Sequence, residues 1–457
     1  MDDQQEELHI SQFGEKFKWG VSTAAFQVEG SCDADGKGAS IWDVFTARRG
    51  VIKDAHNASI ACDFYANYKR DIDLVKQLNI PCFRFSISWS RIMPSGEGEV
   101  NQEGIDFYNQ VVNYCLENQI EPWVTLYHWD LPQALELKGG WTNREVISWF
   151  TKYAEICAQA FGDRVKYWMV MNEPMVFTGA GYFLGIHAPG RKGLKNFLPA
   201  IHHAVLSLAE GARTLRRILP EGSQIGTTFS CSHVEPYSNK IKDVAAAGRA
   251  DALFNRLFIE PILGLGYPVK DVPVLKRLYK YFHPGDEDRM KFEFDFIGLQ
   301  NYTREIVKHS YFTPYLQARL VSAEMRRVPL TLMKWEVYPP AIYHILKKYA
   351  AYPAVKNIYI TENGAAFPDY LDHGEVNDKL RTDYLKNHIS EVRRAQREGV
   401  NVLGYFIWTL TDNFEWAEGY HPRFGIIHVD FTTQERTVKA SGKWFSAFLS
   451  KHSLIVS

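Results

Sequence analysis

A chain of 457 residues, 46% hydrophobic and 23% charged, can bury a large core, which excludes a disordered or fibrous polymer. Lys plus Arg (52) balances Asp plus Glu (53), so no global field draws it to nucleic acid or an anionic membrane. Six cysteines without a C-x-x-C pair or regular spacing read as a reduced, mostly buried set, not a disulfide frame or zinc site.

Residues Met1 to Leu8 are acidic and polar where a secretory leader is basic and then apolar, and no run of ~18 apolar residues occurs. The expectation is a cytoplasmic protein without a membrane segment. It has a loose tail over residues 1–10 and a single domain over 11–457, since no repeat or linker interrupts the chain. Apolar, aromatic and β-branched runs follow in order at 17–26, 82–89, 122–127, 167–171, 224–229, 294–299, 358–361 and 402–410. Their near-continuous hydrophobicity marks strands buried on both faces, as a parallel sheet requires. Between them, 63–78 places Phe64, Tyr68, Ile72, Val75 and Leu78 at helical spacing, and 149–161, 200–219 and 380–397 behave alike. Eight strands alternating with helices predict a (β/α)8 TIM barrel. A doubly wound sheet would want a phosphate-binding glycine loop. Asp35-Gly36-Lys37-Gly38 lacks the upstream Gly and the adjacent Ser or Thr of one. Residues 307–334, weakly periodic and mixed in charge, predict a long loop after the sixth strand on the active-site face.

In such a barrel the carboxyl ends of the strands build the site. There the chain offers Gln27 and Glu29, Arg84, His128-Trp129-Asp130, Asn172-Glu173, Asn301-Tyr302, Glu362-Asn363, Trp408 and Glu415-Trp416. Amides, imidazole and carboxylates match sugar hydroxyls, and indoles stack on the apolar face of the ring. Two glutamates, Glu173 and Glu362, each closing a strand run, are the equipment for general acid and nucleophilic chemistry on a glycosidic bond. His202-His203 sits in a helical stretch without a third ligand, so no metal is expected there. Trp123 and Trp168 read as core.

With these residues in hand, the chain resembles glycoside hydrolase family 1, the retaining β-glucosidase family, from Phe17 to about Phe448. The blocks Phe17 to Gly30, Phe83-Arg84-Phe-Ser-Ile-Ser-Trp89, Tyr127-His128-Trp129-Asp130, Asn172-Glu173-Pro174, Ile360-Thr-Glu362-Asn-Gly364 and Trp408 to Tyr420 are similar to its motifs, in its order. The resemblance implies Glu362 as nucleophile and Glu173 as acid/base, with Arg84 and Tyr302 orienting Glu362. It implies Asn172 on the sugar 2-hydroxyl, and Gln27, His128, Trp129, Glu415 and Trp416 on the others. Trp408 would lie under the ring, Phe424 beside it, and Trp335 at the aglycone entrance. No metal or organic cofactor is implied, and the partners are small β-glucosides or cello-oligosaccharides. Arg84 should lower the pKa of Glu362, while burial and the partner's charge raise that of Glu173.

The chain departs from the family at Gln300-Asn301, where an Asn and an aromatic are usual; this puts leaving-group contacts in doubt. Phospho-sugar members carry Ser, Lys and Tyr where this chain has Glu415, Pro422 and Phe424, and thioglucosidases replace the residue at Glu173 by Gln. Transglycosylation, a β-galactosidase or β-fucosidase bias, and a non-catalytic sugar-binding role remain alternatives to hydrolysis of β-D-glucosides.

Overall fold

The computed structural model describes residues 8–450. Eight strands form a closed parallel barrel in sequence order: β1 Lys18–Ser22, β2 Cys82–Ser86, β3 Glu121–Tyr127, β4 Tyr167–Asn172, β5 Gln224–Ser230, β6 Phe296–Gln300, β7 Ile358–Asn363 and β8 Val402–Trp408. Closure comes from β1 pairing with β8, Lys18 opposite Gly404 through Ser22 opposite Trp408. One principal helix follows each strand: α1 Phe64–Gln77, α2 Gln102–Glu117, α3 Val146–Phe161, α4 Leu194–Ile218, α5 Ile241–Asp251, α6 Pro340–Ala350, α7 Lys379–Arg397 and α8 Ala440–Ser450. This is the (β/α)8 barrel that the alternation predicts.

Inside the barrel, away from the strand carboxyl ends, Trp123, Tyr167, Phe296, Tyr359 and Phe406 pack into an aromatic plug. Trp123 and Tyr167 stack at 3.9 Å. The plug has room because its neighbours on the wall are glycines. A Cβ at Gly20 would lie 2.3 Å from the Phe406 ring, and one at Gly226 would lie 2.3 Å from Phe296. Trp168 is buried on the outer, helix-facing side of the wall.

Three local differences from the sequence expectation matter for function. The first run breaks at Ser22; Ala25–Val28 is a helical turn, and it carries Gln27 behind the mouth. Within 307–334 the chain is not a bare loop. The strand Arg304–His309 pairs with Ala318–Leu320 on one side and with His233–Pro236 on the other. Their core is small, since Val307 and Ala318 pack on Ala246, Ala247 and Ala250 of α5, which is why no sustained apolar period marks them. Of the tail expected over 1–10, residues 1–7 lie outside the described part. Leu8 and Ile10 pack against the core, and Ile10 opens a 3-10 helix.

The six cysteines are unpaired, five of them buried. His202 bonds Tyr267 and Asp286, and His203 bonds the Trp141 carbonyl, so the pair is satisfied within the core. No helix among the described residues is long and apolar enough to cross a membrane.

Candidate active site

The strands that carry the two glutamates both lose regular pairing over their last residues. β4 slips register against β5 between Met169 and Asn172, and β7 slips against β6 between Ile360 and Glu362. Such irregularities re-aim the side chains that follow. Glu173 itself takes φ 46°, a left-handed conformation that costs a non-glycine residue about 1–2 kcal/mol, and its backbone N–H is held by the Thr228 carbonyl. Trp129 and Trp416 share this positive φ. Both glutamates consequently line one cavity of about 440 Å³ at the strand carboxyl ends.

Their surroundings differ. The Arg84 Nη1 donates to Glu362 Oε1 at 2.5 Å, and the Tyr302 hydroxyl donates to Oε2 at 2.7 Å. Arg84 is fully buried; its Nη2 donates to Asn172 Oδ1 and its Nε to Thr125 Oγ1, so the guanidinium is locked in place. Asn172 Oδ1 also accepts from Thr228 Oγ1 and Gln300 Nε2, which fixes the amide so that Nδ2 faces His128 Nε2 at 3.1 Å. Nδ2 can only donate, so His128 Nε2 accepts and its proton sits on Nδ1. That Nδ1 is buried and has no partner among the described residues. Burial and Arg84 keep the His128 ring neutral, its pKa well below the usual value.

Among the described residues no cation is hydrogen-bonded to Glu173, and Arg84 acts on it only through its charge. Burial and then the Glu362 charge push its carboxyl well above the ordinary range. Burial also raises Glu362, and Arg84 and Tyr302 only partly offset it, so the expected lowering of Glu362 does not occur. Desolvation of a carboxylate this deep outweighs one arginine and one phenol. The order of the pair survives, with Glu362 the stronger acid. Burial lifts a third carboxyl, Glu415, to about 8, with Gln27 Nε2 3.4 Å away. Five carboxyl groups line the cavity, Glu173, Glu305, Glu362, Glu415 and Glu418, and burial raises the first four of them.

The sequence profile of glycosyl hydrolase family 1 matches residues 9–454. The chain belongs to this family. Beta-glucosidase A of Thermotoga maritima is 43% identical over 450 residues, spanning 98% of this chain and 100% of that protein. Beta-glucosidase 42 of Arabidopsis thaliana is 40% identical over 468 residues, covering 96% and 94%. The solved Thermotoga maritima β-glucosidase in complex with deoxynojirimycin superposes with a TM-score of 0.92 at 42% identity, over 96% of this chain and 98% of that one.

Against the family motifs, Glu173, Glu362, His128, Trp129, Tyr302, Trp335, Trp408, Glu415, Trp416 and Phe424 all line the cavity. Arg84, Asn172 and Gln27 stand one layer behind, touching the lining residues. Gln27 donates to Asn413, Phe414 and Glu415, which leaves its Oε1 buried and unpartnered. Trp129 differs from the expectation. Its indole N–H is spent on the Asn172 carbonyl at 2.9 Å, so it offers the cavity a ring rather than a donor. Gln300 and Asn301 do not reach the leaving-group space. Gln300 braces Asn172, and Asn301 bonds the carbonyls of Cys231 and Thr303. Glu29 turns away to Arg91 and Tyr108, and Asp130 is buried off the cavity, its carboxyl pushed up to about 7.

Sequence reasoning missed further lining residues, among them Val176, Ile186, His187, Ser230, Met333 and Glu305. Only Ser230, at the end of β5, carried a readable signal, as the last residue of a barrel strand. Outside the cavity wall, Asp54, His56 and His421 cluster with ligand atoms within 4.8 Å of one another. His421 bonds Asp54, and His56 Nδ1 accepts the Tyr420 amide, which accounts for the group as a loop clasp.

Proposed function

We propose that the chain is a retaining exo-β-glycosidase acting on terminal β-D-glucosyl residues of small glucosides and cello-oligosaccharides. The observation that carries this reading is the unequal pair on one cavity: Glu362 clamped by Arg84 and Tyr302, Glu173 buried with no hydrogen-bonded cation among the described residues. Glu362 attacks the anomeric carbon as the C1–O bond breaks, and Glu173 gives its proton to the leaving oxygen. The ester so formed removes the negative charge of Glu362, and with it part of what holds the proton on Glu173. Glu173 can then take a proton from water as that water attacks C1, which frees Glu362 and releases the sugar with its β configuration.

Asn172, held by three donors, supports the role assigned to it at the 2-hydroxyl, where contacts strengthen in an oxocarbenium-like transition state. His128 Nδ1 and Gln27 Oε1, both buried without partners among the described residues, are a donor and an acceptor suited to the remaining hydroxyls. Trp408, packed with Phe424, forms the apolar floor. Gln27, Glu415 and Trp416 close the pocket beyond the non-reducing sugar, hence exo action. The same set accepts either epimer at C4, so galactosidase and fucosidase side activities accompany the glucosidase. A 6-phosphate has no counter-charge, because the cavity wall carries neither lysine nor arginine.

The test is hydrolysis of an aryl β-D-glucoside by wild type and by Glu362→Gly, with azide added to the variant. A dead variant whose azide rescue yields the α-glucosyl azide is expected; full activity in Glu362→Gly would sink the assignment.

A further inference from the structure

The leaving-group side of the cavity contains an acid to which the catalytic reading gives no task. Glu305 lies on the strand Arg304–His309, which runs on directly from Tyr302 and Thr303, and it lines the cavity together with Thr303, Met333 and Trp335. Successive side chains of a strand point to opposite faces, and Arg304 accordingly turns away from Glu305. Its Nε and Nη2 grip Glu336 at 2.9 Å each, its Nη1 reaches Glu235 at 3.3 Å, and its guanidinium stacks on Tyr338 at 3.7 Å. Arg326 is also spent on Glu336, at 2.6 Å. Arg304 is thus committed elsewhere, and Arg326, bonded to Glu336 through Nη1, acts on Glu305 only as a nearby charge without a hydrogen bond or ion pair. Glu305 is left half-buried with no hydrogen bond or ion pair among the described residues.

A carboxyl in that state has lost part of its hydration and has hydrogen-bonding capacity to offer a ligand. Burial lifts it to about 7, with Arg326 opposing the rise and Glu336 adding to it, so near neutral pH it can donate as well as accept. Beside it, Trp335 packs against Tyr302 and Phe424 with ring centroids 5.4 and 6.1 Å apart, a braced apolar face at the entrance. A flat face next to an unpaired carboxyl is complementary to a second sugar ring, with its C–H face on the indole and its hydroxyls on the acid.

We propose that Glu305 sets the leaving-group preference of this site: it hydrogen-bonds hydroxyls of a sugar stacked on Trp335 and disfavours leaving groups that carry an anion. This rests on the β-glucosidase reading above and deepens it, by making a disaccharide the preferred substrate class. The step it affects is glycosylation, since the leaving group is gone before water attacks.

The experiment compares wild type, Glu305→Ala and Glu305→Gln on cellobiose, phenyl β-D-glucoside and 4-carboxyphenyl β-D-glucoside. In Glu305→Ala the ratio of kcat/KM for cellobiose to that for the phenyl glucoside falls about tenfold, the worth of one hydrogen bond to a buried charged or polar group. Glu305→Gln, which keeps hydrogen bonding and loses the charge, restores most of that ratio and raises the relative rate on the carboxyphenyl glucoside. An equal fractional loss on all three substrates would mean a merely structural role and overturn the proposal, as would a cellobiose ratio that moves less than about twofold. If wild type fails to hydrolyse phenyl β-D-glucoside, the β-glucosidase reading falls first. If wild type hydrolyses it and only the ratios fail to move, this inference alone is wrong.

Discussion

Glu173 and Glu362 are the same side chain in two settings, and the chemistry follows from the difference. Both are desolvated, which by itself protects the proton on each. Glu362 recovers part of that cost through Arg84 and Tyr302; Glu173 loses further ground to its neighbour's charge. The pair therefore ionises in order, Glu362 first. In the proposed mechanism the working form has Glu362 ionised and Glu173 protonated, so activity is expected to fall as pH drops through the pKa of Glu362 and again as pH rises through that of Glu173. A bell-shaped profile of kcat/KM is expected, with both limbs displaced upward from those of free carboxylic acids. In Glu173→Gln, assayed on an activated aryl glucoside that needs little acid assistance, the alkaline limb disappears and the acid limb remains. On unactivated glucosides the same variant loses about 10²–10⁴-fold. An alkaline limb that persists in Glu173→Gln would remove Glu173 from its role.

At the scale of the element, the strands are shaped as much by what they lack as by what they carry. Gly20 on β1 and Gly226 on β5 leave space that the Phe406 and Phe296 rings fill. The plug they allow separates the site from the opposite end of the barrel and gives the wall at the cavity floor a rigid backing. Gly226→Val would drive a branched side chain into Phe296 and should cost about 1–3 kcal/mol by overpacking. Denaturant unfolding would register this as a lower midpoint. An unchanged midpoint would mean that the plug is looser than its 3.9 Å stacking implies. Element identity was largely legible from spacing: α1 spans almost the predicted stretch, and α2, although not predicted, carries the same helical interval at Ile105, Tyr108, Val111 and Cys115. The side sheet around Arg304–His309 was not legible, because its strands bury only a few residues and leave a mixed-charge surface outside.

For the whole molecule, closure depends on bonds between segments far apart in the chain. Lys439, just ahead of α8, is fully buried and pairs with Asp369 beyond β7 and with Asp412 beyond β8, the latter at 2.6 Å. Arg381 of α7 also bonds Asp369 at 2.9 Å and reaches the Arg423 carbonyl, and Arg423 pairs with Asp412 at 2.8 Å. This buried network ties the connections after the last two strands to the helices that close the barrel. They are the same connections that present Glu415, Trp416 and Phe424 to the cavity. Lys439→Met leaves Asp369 to Arg381 and Asp412 to Arg423, so the buried carboxylates lose part of their compensation and the fold should be destabilised by about 3–5 kcal/mol. Thermal unfolding measures this directly, and a variant as stable as wild type would show the network to be replaceable.

The sequence by itself determined the alternation of strands and helices, the order of the motif blocks, and the placing of two glutamates and their hydroxyl-binding company at strand ends. These are properties of near neighbours, written in spacing and side-chain type. Only the tertiary structure decided how those groups behave. It spent the Trp129 N–H on a carbonyl, set Gln300 behind Asn172, raised Glu362 instead of lowering it, and left Glu305 unpaired at the mouth. These depend on desolvation or on contacts between residues from tens to hundreds of positions apart. No local pattern in the chain encodes them, and they exist only once the barrel has closed.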